Sequence, residues 1–218
     1  MVNILILVDK ISKFDKKSID SGGTPLDVYT LCSCIRESFC CSYSIRKKNN
    51  LYVYFDSNRI LVKFEGSSLR YLGSDERSQA LLLKRALDKA SEVKTLNIQR
   101  MQKSTPGIFV KSLLNSEAIL ESIIDLCNDK IIVINEFEKE IKESDIINLE
   151  ELDNLRDYCY ILPFCQNSRS IVDILKLSDN KYKLKYSNLL NINGIENKIL
   201  YVNFLIDQKE NSDKERNK

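Results

Sequence analysis

Arg70 and Arg77 stand on either side of a turn in the stretch KFEGSSLRYLGSDER, residues 63–77, and Arg46, Lys47 and Lys48 precede a strand-like run. Lys84, Arg85, Lys89 and Lys94 follow on one helical pattern. Guanidinium and ammonium groups in such clusters match phosphate oxygens, the guanidinium in a bidentate fork. A plainer account is equally physical: a helix-start ion pair for Arg77, an exposed strand charge for Arg70, and a solvated helix face for the lysines. Residue types alone leave the two accounts level.

Other chemistries are narrowed by what the chain carries. It has seven cysteines and no histidine, which excludes Ser-His and Cys-His nucleophile pairs and any imidazole-ligated zinc. Acid–base work must come from carboxylate, Lys, Tyr, Cys or the backbone. Cys32, Cys34, Cys40 and Cys41 fall on one expected helix, so they cannot converge on a tetrahedral ion, and Cys32 lies on its apolar stripe; no metal site is expected. Gly22-Gly23 lacks the spacing of either phosphate-binding glycine loop and reads as a flexible connection. The acidic run at 135–157 is interleaved with Lys139, Lys142 and apolar residues, which suits solvated helix and loop surface.

Charge is segregated along the chain. Residues 1–111 hold 19 Lys+Arg against 11 Asp+Glu, a net of +8, whereas residues 112–157 hold 4 against 13, a net of −9. A basic first half can attract a polyanion although the whole chain is only +2. The apolar start NILILV has no basic segment before it and no small-residue cleavage site after it, so it reads as a buried strand. No run approaches the roughly 20 apolar residues of a membrane span. A cytoplasmic protein with reduced cysteines is the expectation.

The elements that must position these residues alternate between short β-rich runs and helical patterns, which predicts an α/β fold with a largely parallel sheet. Strands are expected at NILILV, LYVYF, RILVKF, KIIVIN, YCYIL and YKLKY, with DSN turning a hairpin between the second and third, and STPGIFV leading from a turn into another strand. Helices are expected over 27–43, from a Ser74 cap through ALLLKRALDKASE, from a Ser116 cap, over SRSIVDILKL, and over IENKILYVNFLID. One domain over 1–207 follows, with residues 208–218, which lack any apolar side chain, as a disordered tail.

The order SGG…LD, LCSCIRESFCCSYSIR, KFEGSSLRYLGSDER and STPGIFV resembles the archaeal tRNA (pseudouridine-54-N1)-methyltransferases of the SPOUT superfamily over residues 20–110. That family carries a Gly-Arg-Leu-Asp loop, a Cys-Arg-Cys helix, Phe-x-Gly-Ser-Glu-Leu, a Pro-Asp-Glu-Arg helix start and Ser-Thr-Pro-Gly-Ile. Here Pro25, Ser33, Tyr43, Ser68 and Ser74 replace individual members. The resemblance implies a SPOUT-type fold with a C-terminal trefoil knot, and S-adenosylmethionine held in the knot loops. It further implies a homodimer, or a heterodimer with a paralogue, acting on tRNA away from membranes.

By the same resemblance, cofactor contacts map to Ile134, Leu162, Pro163, Ser187, Asn188 and Leu189, and RNA contacts to Asp27, Arg46, Arg70 and Arg77; no catalytic residue is assigned. The second half departs from the pattern. Pro163 stands where the family has glycine, Leu190 where it has the knot-loop proline, and Lys198 where it has cysteine. Proline fixes φ and removes an N–H, and a lysine beside a sulfonium is a like-charge contact. Two expectations therefore stand together: an enzyme with a rewired donor site, or a relative that keeps the fold and the RNA face without the donor.

Overall fold

The run VNILILV forms β1 (Val2–Val8), and all seven residues are buried, as a strand central to an α/β sheet requires. The computed structural model describes residues 1–42, 44–96, 98, 100–114, 130–134, 146–164, 183–187, 189 and 191–216. Around β1 lie β4 (Asn49–Phe55), β5 (Ile60–Glu65), β6 (Gln102–Thr105), β7 (Ile108–Ser112), β8 (Lys130–Ile134), β9 (Cys159–Pro163) and β10 (Lys183–Ser187). They form one sheet in the order β10-β8-β9-β1-β4-β5-β7-β6. Neighbours from β10 to β4 pair in parallel, and those from β4 to β6 are antiparallel. The expected α/β architecture is present, with the parallel half carrying the carboxyl edge and the antiparallel half built from hairpins.

Among the described residues, alternate strand positions face four helices: α1 (Lys16–Asp20), α2 (Leu26–Phe39), α3 (Glu76–Thr95) and α4 (Ile195–Arg216). Ile4, Ile6, Val53, Phe55, Val62 and Phe64 meet Leu31, Ile35, Leu83, Ala86, Ile199 and Val202 in one cluster. The second helix packs on α3, α4 and β4, while α3 packs on β5 and β7.

Three local expectations are corrected. The 27–43 helix ends at Phe39, because Cys40–Cys41 (β2) pairs antiparallel with Ser44–Ile45 (β3). The third helix is capped by Asp75 rather than Ser74; the Asp75 carboxylate accepts from the Ser78 amide at 2.8 Å. Residues 208–216 continue α4 instead of forming a tail. Arg156 binds Glu210 at 2.5 Å, and the Lys209 ammonium donates to the carbonyls of Glu150 and Leu152, so charged contacts hold a segment that has no apolar side chain to bury. The helices expected at 116–127 and 168–177 lie outside the described residues.

The join between the two ends of the sequence is polar and buried. A helix leaves its last four carbonyls without intrahelical partners. In α2 these are met from outside: Asn203 Nδ2 donates to Glu37 O at 2.8 Å, Asn49 Nδ2 to Ser38 O at 2.8 Å, and the Arg46 amide to Phe39 O at 2.7 Å. Asn49 also donates to Asn203 Oδ1 at 2.9 Å. Asn49 and Asn203 are 3% and 1% exposed, so water cannot substitute for either.

Candidate cofactor and RNA site

Parallel strands present their carboxyl ends to one edge, and ligands of open α/β sheets bind beyond that edge. Here β8, β9 and β10 end side by side. Ser187 is register partner to Ile134, Val133 is partner to Ile161, and Pro163 lies opposite Leu7 at the end of β1. Ile134, Leu162 and Ser187 are each about 2% exposed, Pro163 is half-buried, and Leu189 packs partly against the core. Five of the six expected cofactor positions are therefore described, with four strand-end residues on one edge; Asn188 lies outside the described residues.

Pro163 fits its strand for a specific reason. The Phe164 amide donates to Leu7 O at 2.8 Å, so odd-numbered nitrogens of β9 face β8. By the β8–β9 register an N–H at Pro163 would face the carbonyl of Ile134, the last residue of β8, so the missing donor falls at the final rung of that pairing. Its absence falls at the mouth of the β8–β9 edge. Lys198 is 4% exposed in the first turns of α4, which begins after Gly194 at φ +85°.

The four expected RNA positions separate. Arg46 forms a bidentate pair with Asp207, Nη1 to Oδ1 at 2.7 Å and Nη2 to Oδ2 at 2.6 Å, and this holds its guanidinium above the usual range. Asp27 accepts from the Ser12 amide at 2.6 Å and from Val28 at 2.9 Å, tying the loop after β1 to the start of α2. Arg77 pairs with Asp20 at 2.8 Å on an exposed surface, as the plainer account had it. Arg70 is exposed, and its amide donates to Pro106 O at 3.3 Å.

The turn that carries Arg70 is rigid. A Cβ on Gly66 would lie 2.4 Å from Arg46 O, and one on Gly107 would lie 2.3 Å from Leu69 Cα. Beside Arg70 stands Tyr71, 79% exposed with φ 63°, a position sequence reasoning missed. A left-handed tyrosine gives no signal in composition or periodicity. Its carbonyl accepts from Ser78 Oγ at 3.1 Å, and the same hydroxyl accepts from Gly73 N at 2.8 Å.

Cys32 and Cys34 lie in the core, on α2. Burial pushes the Cys32 thiol up to about 12 and holds the Cys34 thiol well above its ordinary value, so both are inert packing. Among the described residues, no three His, Cys, Asp or Glu side chains are grouped as a metal site, and no helix is long and apolar enough to cross a membrane.

A family model described as "Putative SAM-dependent RNA methyltransferase" matches residues 9–149. The chain belongs to this family. Members similar to it include tRNA (pseudouridine(54)-N(1))-methyltransferases. That of Methanocaldococcus jannaschii is 32% identical over 115 residues, 51% of this chain and 55% of the relative. That of Haloferax volcanii is 36% identical over 101 residues, 46% and 48% of the two chains. That of Methanococcoides burtonii is 29% identical over 155 residues, 68% and 72%. The chain thus spans about half the length of the first two relatives it matches. For this methyltransferase-family chain the matched stretch includes the basic half and Ile134, whereas Leu162, Pro163, Ser187 and Lys198 lie beyond it.

Proposed function

We propose that the protein is an S-adenosylmethionine-dependent methyltransferase acting at N1 of a pseudouridine in the T-loop of tRNA. The observation that carries the reading is the alignment of Ile134, Leu162–Pro163 and Ser187 along one carboxyl edge in a chain of this family. The residues fit the cofactor in kind. Buried Ile134 and Leu162 offer an apolar floor for a purine, Ser187 brings a hydroxyl, and the strand ends bring backbone carbonyls. Bound there, S-adenosylmethionine supplies an electrophilic methyl group. Without the Pro163 amide, polar contacts to the donor fall on the residues of neighbouring strand ends. Arg70 and Tyr71, on the rigid 66–73 turn, present a guanidinium and an aromatic ring to RNA, whose loops offer splayed bases. Arg46 is bound to Asp207 and acts through the fold. The knot and the homodimer of the SPOUT superfamily belong to the same proposal, and so does a cytoplasmic location.

Calorimetric titration with S-adenosylmethionine and its demethylated product, followed by methyl transfer to pseudouridine-containing tRNA, tests this. Micromolar binding and a methylated product are expected. A second reading is favoured by Pro163 at the mouth of the edge and Lys198 buried in α4: an RNA-binding relative, or a heterodimer partner, that has lost the donor. No binding at millimolar ligand would overturn the enzyme and select that reading.

A further inference from the structure

A groove of about 340 Å³ runs between the loop after β1 and α3, at the carboxyl end of β4 and two strands along the sheet from β9. Its floor is apolar: Phe55 and Ile60 from the hairpin, Leu87 from α3, and Phe14 from the loop. Its rim is basic, with Lys13 on one side and Lys84 and Lys94 on the other. The helix residues Lys84, Leu87, Asp88, Ser91 and Lys94 recur three or four apart, so they share one face. The single carboxylate on the rim, Asp88, is engaged by Lys84 at 2.5 Å. Lys13 and Lys94 are exposed and have no carboxylate partner among the described residues.

Two features select the occupant. Lys13 comes from the loop and Lys94 from the helix, on the two walls of the groove, so a chain of phosphates can meet both across it. A half-buried aromatic ring above an apolar floor takes the face of a base, and every base has one. An acidic peptide would satisfy the lysines and leave the apolar floor unused. The loop itself is held in place before any ligand arrives, because Asp27 accepts the Ser12 amide at 2.6 Å.

We propose that this groove is a second RNA-contact site, holding a single-stranded stretch with a base against Phe14 and Leu87 and its phosphates at Lys13 and Lys94. The proposal rests on the RNA reading above and adds an anchor on the same carboxyl edge as the donor positions, two strands from β9. The test is an NMR titration of the isotopically labelled full chain with five-nucleotide oligouridylate RNA. Amide shifts are expected at Ser12–Phe14 and Ser91–Lys94. Lys13→Glu with Lys94→Glu should weaken binding by about tenfold or more and flatten the log–log salt slope by about 1.4, two single-strand phosphate contacts. An unchanged melting temperature would exclude misfolding of that variant.

The groove assignment is overturned if millimolar oligouridylate shifts nothing there, if the shifts fall elsewhere, or if a polyglutamate peptide shifts these amides and the RNA does not. Methyl transfer reads the enzyme proposal separately. Shifts in the groove without methyl transfer keep the anchor and sink the enzyme. Methyl transfer with tRNA affinity unchanged in the double variant sinks the anchor alone.

Discussion

Replacing Asn203 by alanine should cost this protein about 3 kcal/mol, although Asn203 is itself none of the proposed contact residues. The magnitude follows from two bonds. Asn203 Oδ1 accepts one proton of the Asn49 amide, whose other proton goes to Ser38 O. Asn203 Nδ2 covers Glu37 O, one of the carbonyls that α2 cannot satisfy internally. The variant strands one donor on Asn49, which is 3% exposed, and one acceptor, the carbonyl of half-buried Glu37. Each such group costs about 1–3 kcal/mol, and partial relaxation brings the pair to the lower part of the summed range. For a domain of this size that lowers the melting temperature by about 6–12 °C. Urea unfolding followed by circular dichroism reads the loss directly, with Gln208→Ala, an exposed change on the same helix, expected within about 0.5 kcal/mol of the parent. A loss under about 1 kcal/mol for Asn203→Ala, at an unchanged m-value, would refute the capping role.

Gly107→Ala, at φ +80° and with its Cβ 2.3 Å from Leu69 Cα, should destabilise by more than about 2 kcal/mol and speed hydrogen exchange at the Arg70 amide; equal exchange in parent and variant would mean the 66–73 turn does not lean on this glycine. Glu65 is held below its usual range by the Lys63 ion pair and the Ser68 hydroxyl, so its contribution to stability is present above its unfolded value, about 4.3, and lost as pH falls through the lower folded value. The stability gap between the parent and Glu65→Gln should therefore be open at pH 7 and close on acidification; a gap independent of pH would contradict this. Iodoacetamide at pH 8 should label the half-buried Cys40 and Cys41 before the buried Cys32 and Cys34, read by mass spectrometry, and early labelling of Cys34 in the folded protein would contradict its burial.

What could be read from the sequence was local. The buried run of β1, the hairpin turned by Asp56–Asn58 and the stripe of α3 each follow from periodicity and turn residues within a short window. The capping of α2 did not, because its open carbonyls at Ser38 and Glu37 are met by Asn49 and Asn203, which the chain brings back from strand and helix far downstream. Arg46 looked like a phosphate contact for the same reason. Its partner, Asp207, is 161 residues away and carries no local signature. The candidate donor edge was legible only as family motifs, since nothing in the spacing of Ile134, Pro163 and Ser187 says that three strands end together. The Phe14 groove was missed because its walls come from a loop and a helix joined only by the fold.

The asparagine pair also dictates the order in which this chain can finish folding. Asn49 leaves the ribosome 154 residues before Asn203. At about 5–20 residues per second, the nascent α2 waits roughly 8–30 s for the side chain that covers its Glu37 carbonyl. Through that interval the apolar side of α2 against which α4 will pack has no helix upon it, so the early half of the protein exposes that surface until α4 is made. A stall or truncation before Asn203 would release a domain whose sheet is partly paired and whose second helix is still open at its end.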